Sequence, residues 1–211
     1  MLQTLQNTLE WRGWGLNLLT IGAIASCFFT ILQGIGIWKQ NLRVRCQKSG
    51  ESVSVIFFSY SLFYFFAFMA YGIFKQSIAM TFNGTLGFVS IPILAALWRY
   101  KRFTKIELAS FAVFPLMIPA MILMEEERDI LLLIFLIGVL FSIARQAYEA
   151  WESADTSTID PVFIAIFMAT NAFWLLYAIA IDNLALIIFN PISFVLFLFI
   201  FLMYWKKGRK T

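Results

Sequence analysis

FNGTLGF at residues 82–88 and FNPISFV at residues 189–195 set the same Phe-Asn pair, 107 positions apart, inside long runs without a charged residue. Those runs decide the class of fold. Between charged residues the chain reads 13–38, 52–74, 76–98, 108–124, 130–144, 161–181 and 183–205. A helix rises about 1.5 Å per residue, so about 20 apolar residues cross a hydrocarbon layer about 30 Å thick. Five of the runs reach that length, and 108–124 is at the short limit. The run 130–144 crosses if Arg145 lies near a helix end and carries its head group to the interface. The sequence predicts an all-α membrane protein with seven transmembrane helices.

Composition agrees. Of 211 residues, 61% are hydrophobic and 13% charged, whereas a soluble domain of this size covers its core with a charged shell. The N-terminal region lacks a basic leader, and its apolar run is too long for a cleaved signal, so the first helix is expected to stay. Histidine is absent, which removes the commonest general base, metal ligand and pH switch together. No cofactor and no metal are expected. Cys27 lies inside the first run and Cys46 in the loop after it, which argues against a disulfide. With the N-terminus outside, 13 of the 16 Lys and Arg residues fall on inner segments, and only Arg12, Lys75 and Arg128 fall outside. The positive-inside rule then predicts N-out/C-in. KKGRK at 206–210 reads as a topological anchor rather than a nucleic-acid patch.

The chain also repeats itself. At an offset of 106, Lys39-Gln40 falls on Arg145-Gln146, Val53 on Ile159, Phe57 on Phe163, Phe68 on Trp174 and Tyr71 on Tyr177. One extra residue in the later loop makes the offset 107, where Phe82-Asn83 meets Phe189-Asn190 and Trp98-Arg99 meets Trp205-Lys206. The reading is a 3+1+3 layout: a three-helix repeat at 13–105, a linker helix at 106–127, a second repeat at 128–206, and a basic cytosolic tail at 207–211. A linker that crosses once leaves the two repeats parallel, with a substrate site between them near mid-membrane. Pro115 and Pro119 mark the linker as a kinked helix.

Depth brings a few side chains together. Asn83 and Asn190 each lie seven residues into a run that enters from outside, about 10 Å below the outer edge. Trp174 and Phe68 reach the same level from the other direction, with Tyr64 and Asn171 one turn deeper. A lone intramembrane asparagine commonly ties helices together. Two matched asparagines at one depth, each beside an aromatic ring, point instead to a ligand. An amide offers donor and acceptor to hydroxyls, and a flat ring covers the C–H face of a sugar. The runs contain no acid, which predicts uncoupled transport. Asp160, just before Pro161, reads as a helix N-cap, and EEERD at 125–129 as a solvated loop.

These residues resemble the SWEET sugar transporters of the PQ-loop and SemiSWEET superfamily. The resemblance rests on the 3+1+3 layout, KQNLRVRCQKSGESVS at 39–54, the Tyr71-Gly72 pair, FNGTLG at 82–87, and FWLLYAIAIDN leading to Asn190. It implies alternating access by rocking of two three-helix units and passage of a mono- or disaccharide. It places substrate contacts on Asn83, Asn190 and Trp174, with Phe68, Tyr64 and Asn171 beside them, and gate or hinge roles on Gln40, Gln146, Pro161, Tyr71 and Tyr177. The partners it implies are the small solute and the bilayer, with homo-oligomers allowed, no nucleic acid, and a multi-pass location in the plasma (inner) membrane. Hinge prolines of the family are replaced here by Lys39, Val55 and Arg145. The alternatives are a proton-coupled amino-acid or vitamin carrier, using Asp155 or Asp160, and a receptor that binds without flux. A retinal protein would need a lysine in 183–205, which has none. Enzyme activity is not expected.

Overall fold

In the computed structural model, residues 7–153 and 156–208 are described, and every regular element among them is helical. A one-turn helix, Leu9–Arg12, precedes seven apolar helices: Leu18–Gln47, Val55–Phe74, Ile78–Tyr100, Lys105–Leu123, Arg128–Glu152, Pro161–Ala180 and Leu184–Lys207. They are called the first to seventh spans.

Most spans start on a side chain that takes up free N–H groups of the first turn. Asn17 accepts from Thr20 N, Ser54 from Phe57 N, and Ser77 from Met80 N. Asn183 does the same for Leu186 N. Thr104 and Glu107 form a reciprocal capping box at the fourth span. Asp160 accepts from Val162 N and Phe163 N with Pro161 in the first turn, so it is the helix cap its sequence suggested. The fifth span extends well past Arg145. Arg145 is half-exposed, bonds Glu149 one turn on and lies over the Tyr148 ring. The fourth span is interrupted by a 3₁₀ turn at Phe114–Leu116, centred on Pro115.

The turn after the second span and the turn after the sixth are the same object. Lys75 N bonds Tyr71 O at 2.9 Å and Ser77 N bonds Gly72 O at 2.9 Å; Ile181 N bonds Tyr177 O at 3.1 Å and Asn183 N bonds Ala178 O at 3.0 Å. Gln76 and Asp182, also 106 apart, both take left-handed backbone, with φ of 55° and 53°. The offset of 106 persists through the cap bonds to Met80 and Leu186, so the extra residue expected in the later loop is not there. The step to 107 lies inside the helix. It falls between Met80 and Phe82 in the third span and between Leu186 and Phe189 in the seventh, ahead of the break at Thr85 and of Pro191.

The third span packs between the first and second, and the seventh between the fifth and sixth. These groups meet where the first span lies on the sixth and the second on the fifth, and the fourth span rests on the second. Two glycines let the first span approach the sixth: a Cβ on Gly22 would stand 3.0 Å from Tyr177 Cα, and one on Gly36 would stand 3.3 Å from Phe163 Cα. The outward faces are apolar, as in the stripe Ile21, Ile24, Phe28, Ile31 and Ile35. Exposed tryptophans ring both ends, with Trp11 and Trp14 on one face and Trp98, Trp151 and Trp205 on the other. The chain is an integral, multi-pass membrane protein. One face carries the N-terminal helix and the turns at 75–77 and 181–183. The opposite face carries the basic loops.

Candidate functional site

Between the two helix groups lies a cavity of about 70 Å³, several times what one water needs. All six side chains expected to bind substrate line it: Asn83, Asn190, Trp174, Phe68, Tyr64 and Asn171. None of its lining residues is charged.

Toward the N-terminal face the cavity is closed by rings. Phe68 and Trp174, equivalent positions in the two repeats, meet edge to face at 5.7 Å, and Tyr64 stacks on Phe68 at 5.5 Å. Toward the basic face a second aromatic layer closes it. Phe57 and Phe163, again equivalent positions, lie 6.2 Å apart, with Phe167 and Phe197 packed at 4.6 Å and 5.3 Å in the same cluster.

The polar groups are bonded in ways that fix what each offers. Asn83 Nδ2 donates to Thr30 Oγ1 and Gln33 Oε1, both at 3.0 Å, so its amide oxygen is what remains for the cavity. Asn171 Nδ2 donates to Phe167 O at 2.8 Å, and Asn190 Nδ2 to Leu186 O at 2.7 Å, each one turn back. Three amide oxygens therefore line the cavity as free acceptors, beside the hydroxyls of Ser61 and Ser193 and the amide nitrogen of Gln33. The two walls differ. Gln33 and Thr30 have Val139 and Leu136 as repeat equivalents, which is why Asn190 turns to its own helix for a partner.

Gln40 and Gln146 do not reach the cavity. Each clamps the opposite loop on the basic face. Gln40 Nε2 donates to Thr158 O at 2.6 Å and its Oε1 accepts from Asp160 N at 2.7 Å. Gln146 Nε2 donates to Ser52 O at 2.8 Å and its Oε1 accepts from Ser54 N at 2.7 Å. The four bonds map onto one another at an offset of 106, and the hydroxyls of Ser52 and Thr158 meet between them. Lys101 reinforces this face, with Nζ 2.7 Å from Glu149 and 2.8 Å from Val53 O. Pro161 stays at the start of the sixth span, beside that clamp.

The N-terminal face has a matching pair. Tyr71 OH donates to Asp129 at 2.7 Å and accepts from Asn183 Nδ2 at 3.3 Å. Tyr177 OH donates to Glu10 at 2.7 Å and lies 2.9 Å from Ser77 Oγ. Lys75 holds Asp129 from the other side at 2.9 Å. Polar ties thus join the two helix groups at both faces. Gln33, Thr30, Asp129 and Glu10 were not singled out from sequence. For Gln33 and Thr30 a signal existed: with Gln40 they form a polar stripe at helical spacing along an apolar span. For Glu10, which precedes the charge-free runs, there was none.

Seven spans and two like groups of helices with an uncharged cavity between them make up the architecture. The particular likeness is to a solved eukaryotic SWEET transporter, determined at 3.7 Å resolution. The two share the fold with a TM-score of 0.63 over 91% of this chain and 97% of that one, at 13% sequence identity. No protein family and no curated protein matches by sequence. The likeness is one of fold.

Proposed function

We propose that this protein carries a small neutral polyol, a sugar of mono- or disaccharide class, across the membrane by facilitated transport. The observation that carries the reading is the cavity itself: uncharged, lined with amide oxygens and capped by aromatic rings. Amide oxygens accept from hydroxyl donors, and ring faces cover C–H surface. A zwitterion such as an amino acid would leave its charges without a partner there, at high cost in a low-dielectric interior. Asp160 serves as a helix cap near Arg43 (3.9 Å) and not as a cavity group, and Asp155 lies outside the described residues.

In this reading the N-terminal face is outside, as the distribution of Lys and Arg indicates. The spans on either side of the linker, 13–105 and 128–206, are two three-helix units that rock about the cavity. Phe68 and Trp174 roof the site, and Asn83, Asn190 and Asn171 hold hydroxyls. Tyr71 and Tyr177 close the outer side; Gln40, Gln146 and Pro161 form the inner hinge. Breaking the bonds of one face while keeping those of the other gives alternate access.

Radiolabelled glucose counterflow in proteoliposomes tests it, with and without an imposed pH gradient. Accumulation of label that ignores the gradient is expected. No flux of glucose or of a small sugar panel would remove the sugar assignment. Flux that follows the gradient would replace it with a proton-coupled carrier, and saturable binding without flux with a receptor.

A further inference from the structure

Glu10 is a carboxylate buried among helices, although it precedes every apolar run. It is 5% exposed. Its oxygens accept from Ser77 Oγ at 2.7 Å, Ile78 N at 3.0 Å, Ala79 N at 3.1 Å and Tyr177 OH at 2.7 Å. The first three donors open the third span, and the fourth stands on the sixth. Carboxylates with several donors of this kind make the stronger class of hydrogen bond.

The N-terminal helix is fastened to the turn after the second span. Leu9 N bonds Gln76 O at 2.8 Å, and Arg12 Nη2 bonds Gln76 Oε1 at 2.9 Å. With the Glu10 bonds to Ser77, Ile78 and Ala79, these ties join it to the turn between the second and third spans. Tyr177 ties it across to the other group. The arrangement has a counterpart across the mouth, where Tyr71 of one group donates to Asp129 at the head of the other. Each tyrosine also meets the helix-cap residue of the opposite group: Tyr177 meets Ser77, and Tyr71 meets Asn183. The two acids differ in setting. The Asp129 side chain is 68% exposed, where a charged contact contributes little, whereas Glu10 is shielded.

We infer that Glu10 is the principal latch of the N-terminal face: a strap that travels with the first three spans and holds the second group shut through Tyr177. This rests on the reading that the two groups move as units. To open that face, the Glu10–Tyr177 bond must break. The other three bonds keep the carboxylate satisfied while it waits, so the latch can re-engage without rebuilding its site.

Spin labels on Ile73→Cys and Ile179→Cys report the opening. These are exposed, repeat-equivalent positions at the ends of the second and sixth spans, used with Cys27→Ala and Cys46→Ser in the full chain in nanodiscs. Glu10→Gln sets an amide NH2 against the fixed N–H of Ile78 or Ala79, so it disrupts the carboxylate site. Tyr177→Phe removes only the tie between groups and keeps the strap seated. Both are expected to raise the population of long inter-label distances about tenfold, the size of one hydrogen bond to a charged group. The double variant should open no further than either single one, and Asp129→Asn should open less. Glucose counterflow by the wild type is measured alongside, so a failed transport reading shows as absent flux and a failed latch as unmoved distances. Distances unchanged by both Glu10→Gln and Tyr177→Phe, or an Asp129→Asn effect as large as theirs, would overturn the inference.

Discussion

Asn83 and Asn190 look alike in sequence and are held differently, which separates their variants. Asn83 gives both amide hydrogens to Thr30 and Gln33 on the first span. Asn83→Ala therefore removes a cavity acceptor and also leaves Gln33 Oε1 unpaired in a buried setting, with an expected stability loss of about 1–3 kcal/mol. Asn190 bonds only a carbonyl of its own helix. Asn190→Ala should lose sugar transport with little change in melting temperature, and thermal unfolding of the two variants side by side checks the contrast. Glu10 supplies a pH prediction. Burial pushes its carboxyl up, but hydrogen bonds from Ile78 N–H, Tyr177 and Ser77 outweigh that and hold it below its ordinary value of 4.5. A depressed carboxyl stabilises the fold above its unfolded value and loses that contribution as pH falls through its folded value. The difference in melting temperature between wild type and Glu10→Gln should be constant from pH 8 to about pH 5 and shrink in more acid buffer. A gap that widens in acid would contradict the assignment.

The elements show what was legible and what was not. The charge-free runs locate all seven spans, because length and hydropathy are enough in a bilayer. Their ends lay outside that signal: the fifth run stops at Arg145, yet the helix continues to Glu152 because Arg145 finds Glu149 and the Tyr148 ring at the interface. The repeat was readable from Gln40, Gln146 and the tyrosines, but the one-residue step was assigned to a turn. Turn geometry is fixed by hydrogen bonds that two unlike sequences, Lys75-Gln76-Ser77 and Ile181-Asp182-Asn183, make equally well. Candidate cavity residues were read from the repeat and from depth together. Gln33 and Glu10 were not, since one needed its helix face and the other its tertiary fold. The reciprocal clamp on the basic face gives an element-scale prediction. Gln40→Leu and Gln146→Leu each remove two bonds to a buried loop backbone, so each should cost about 1–3 kcal/mol. Because the environments map onto one another, the two losses should agree closely by denaturant unfolding. A large difference would show that the two loops are not equivalent supports.

At the scale of the whole molecule, aromatic layers flank the cavity on both sides and polar ties join the helix groups at both faces, which the proposed function reads as a closed intermediate between two open ones. The central claim is that a neutral sugar passes through this cavity. Loosening the N-terminal face should favour entry and release on that side alone. Efflux and influx measured separately for Tyr177→Phe should then change unequally when one step limits the cycle. The most direct measurement is glucose counterflow in proteoliposomes reconstituted at equal protein density, with wild type beside Asn190→Ala and Trp174→Ala. The account predicts that the wild type accumulates label and that both variants fall by about tenfold or more, the loss of one good polar contact or of a ring face. Accumulation by both variants at the wild-type rate would contradict it.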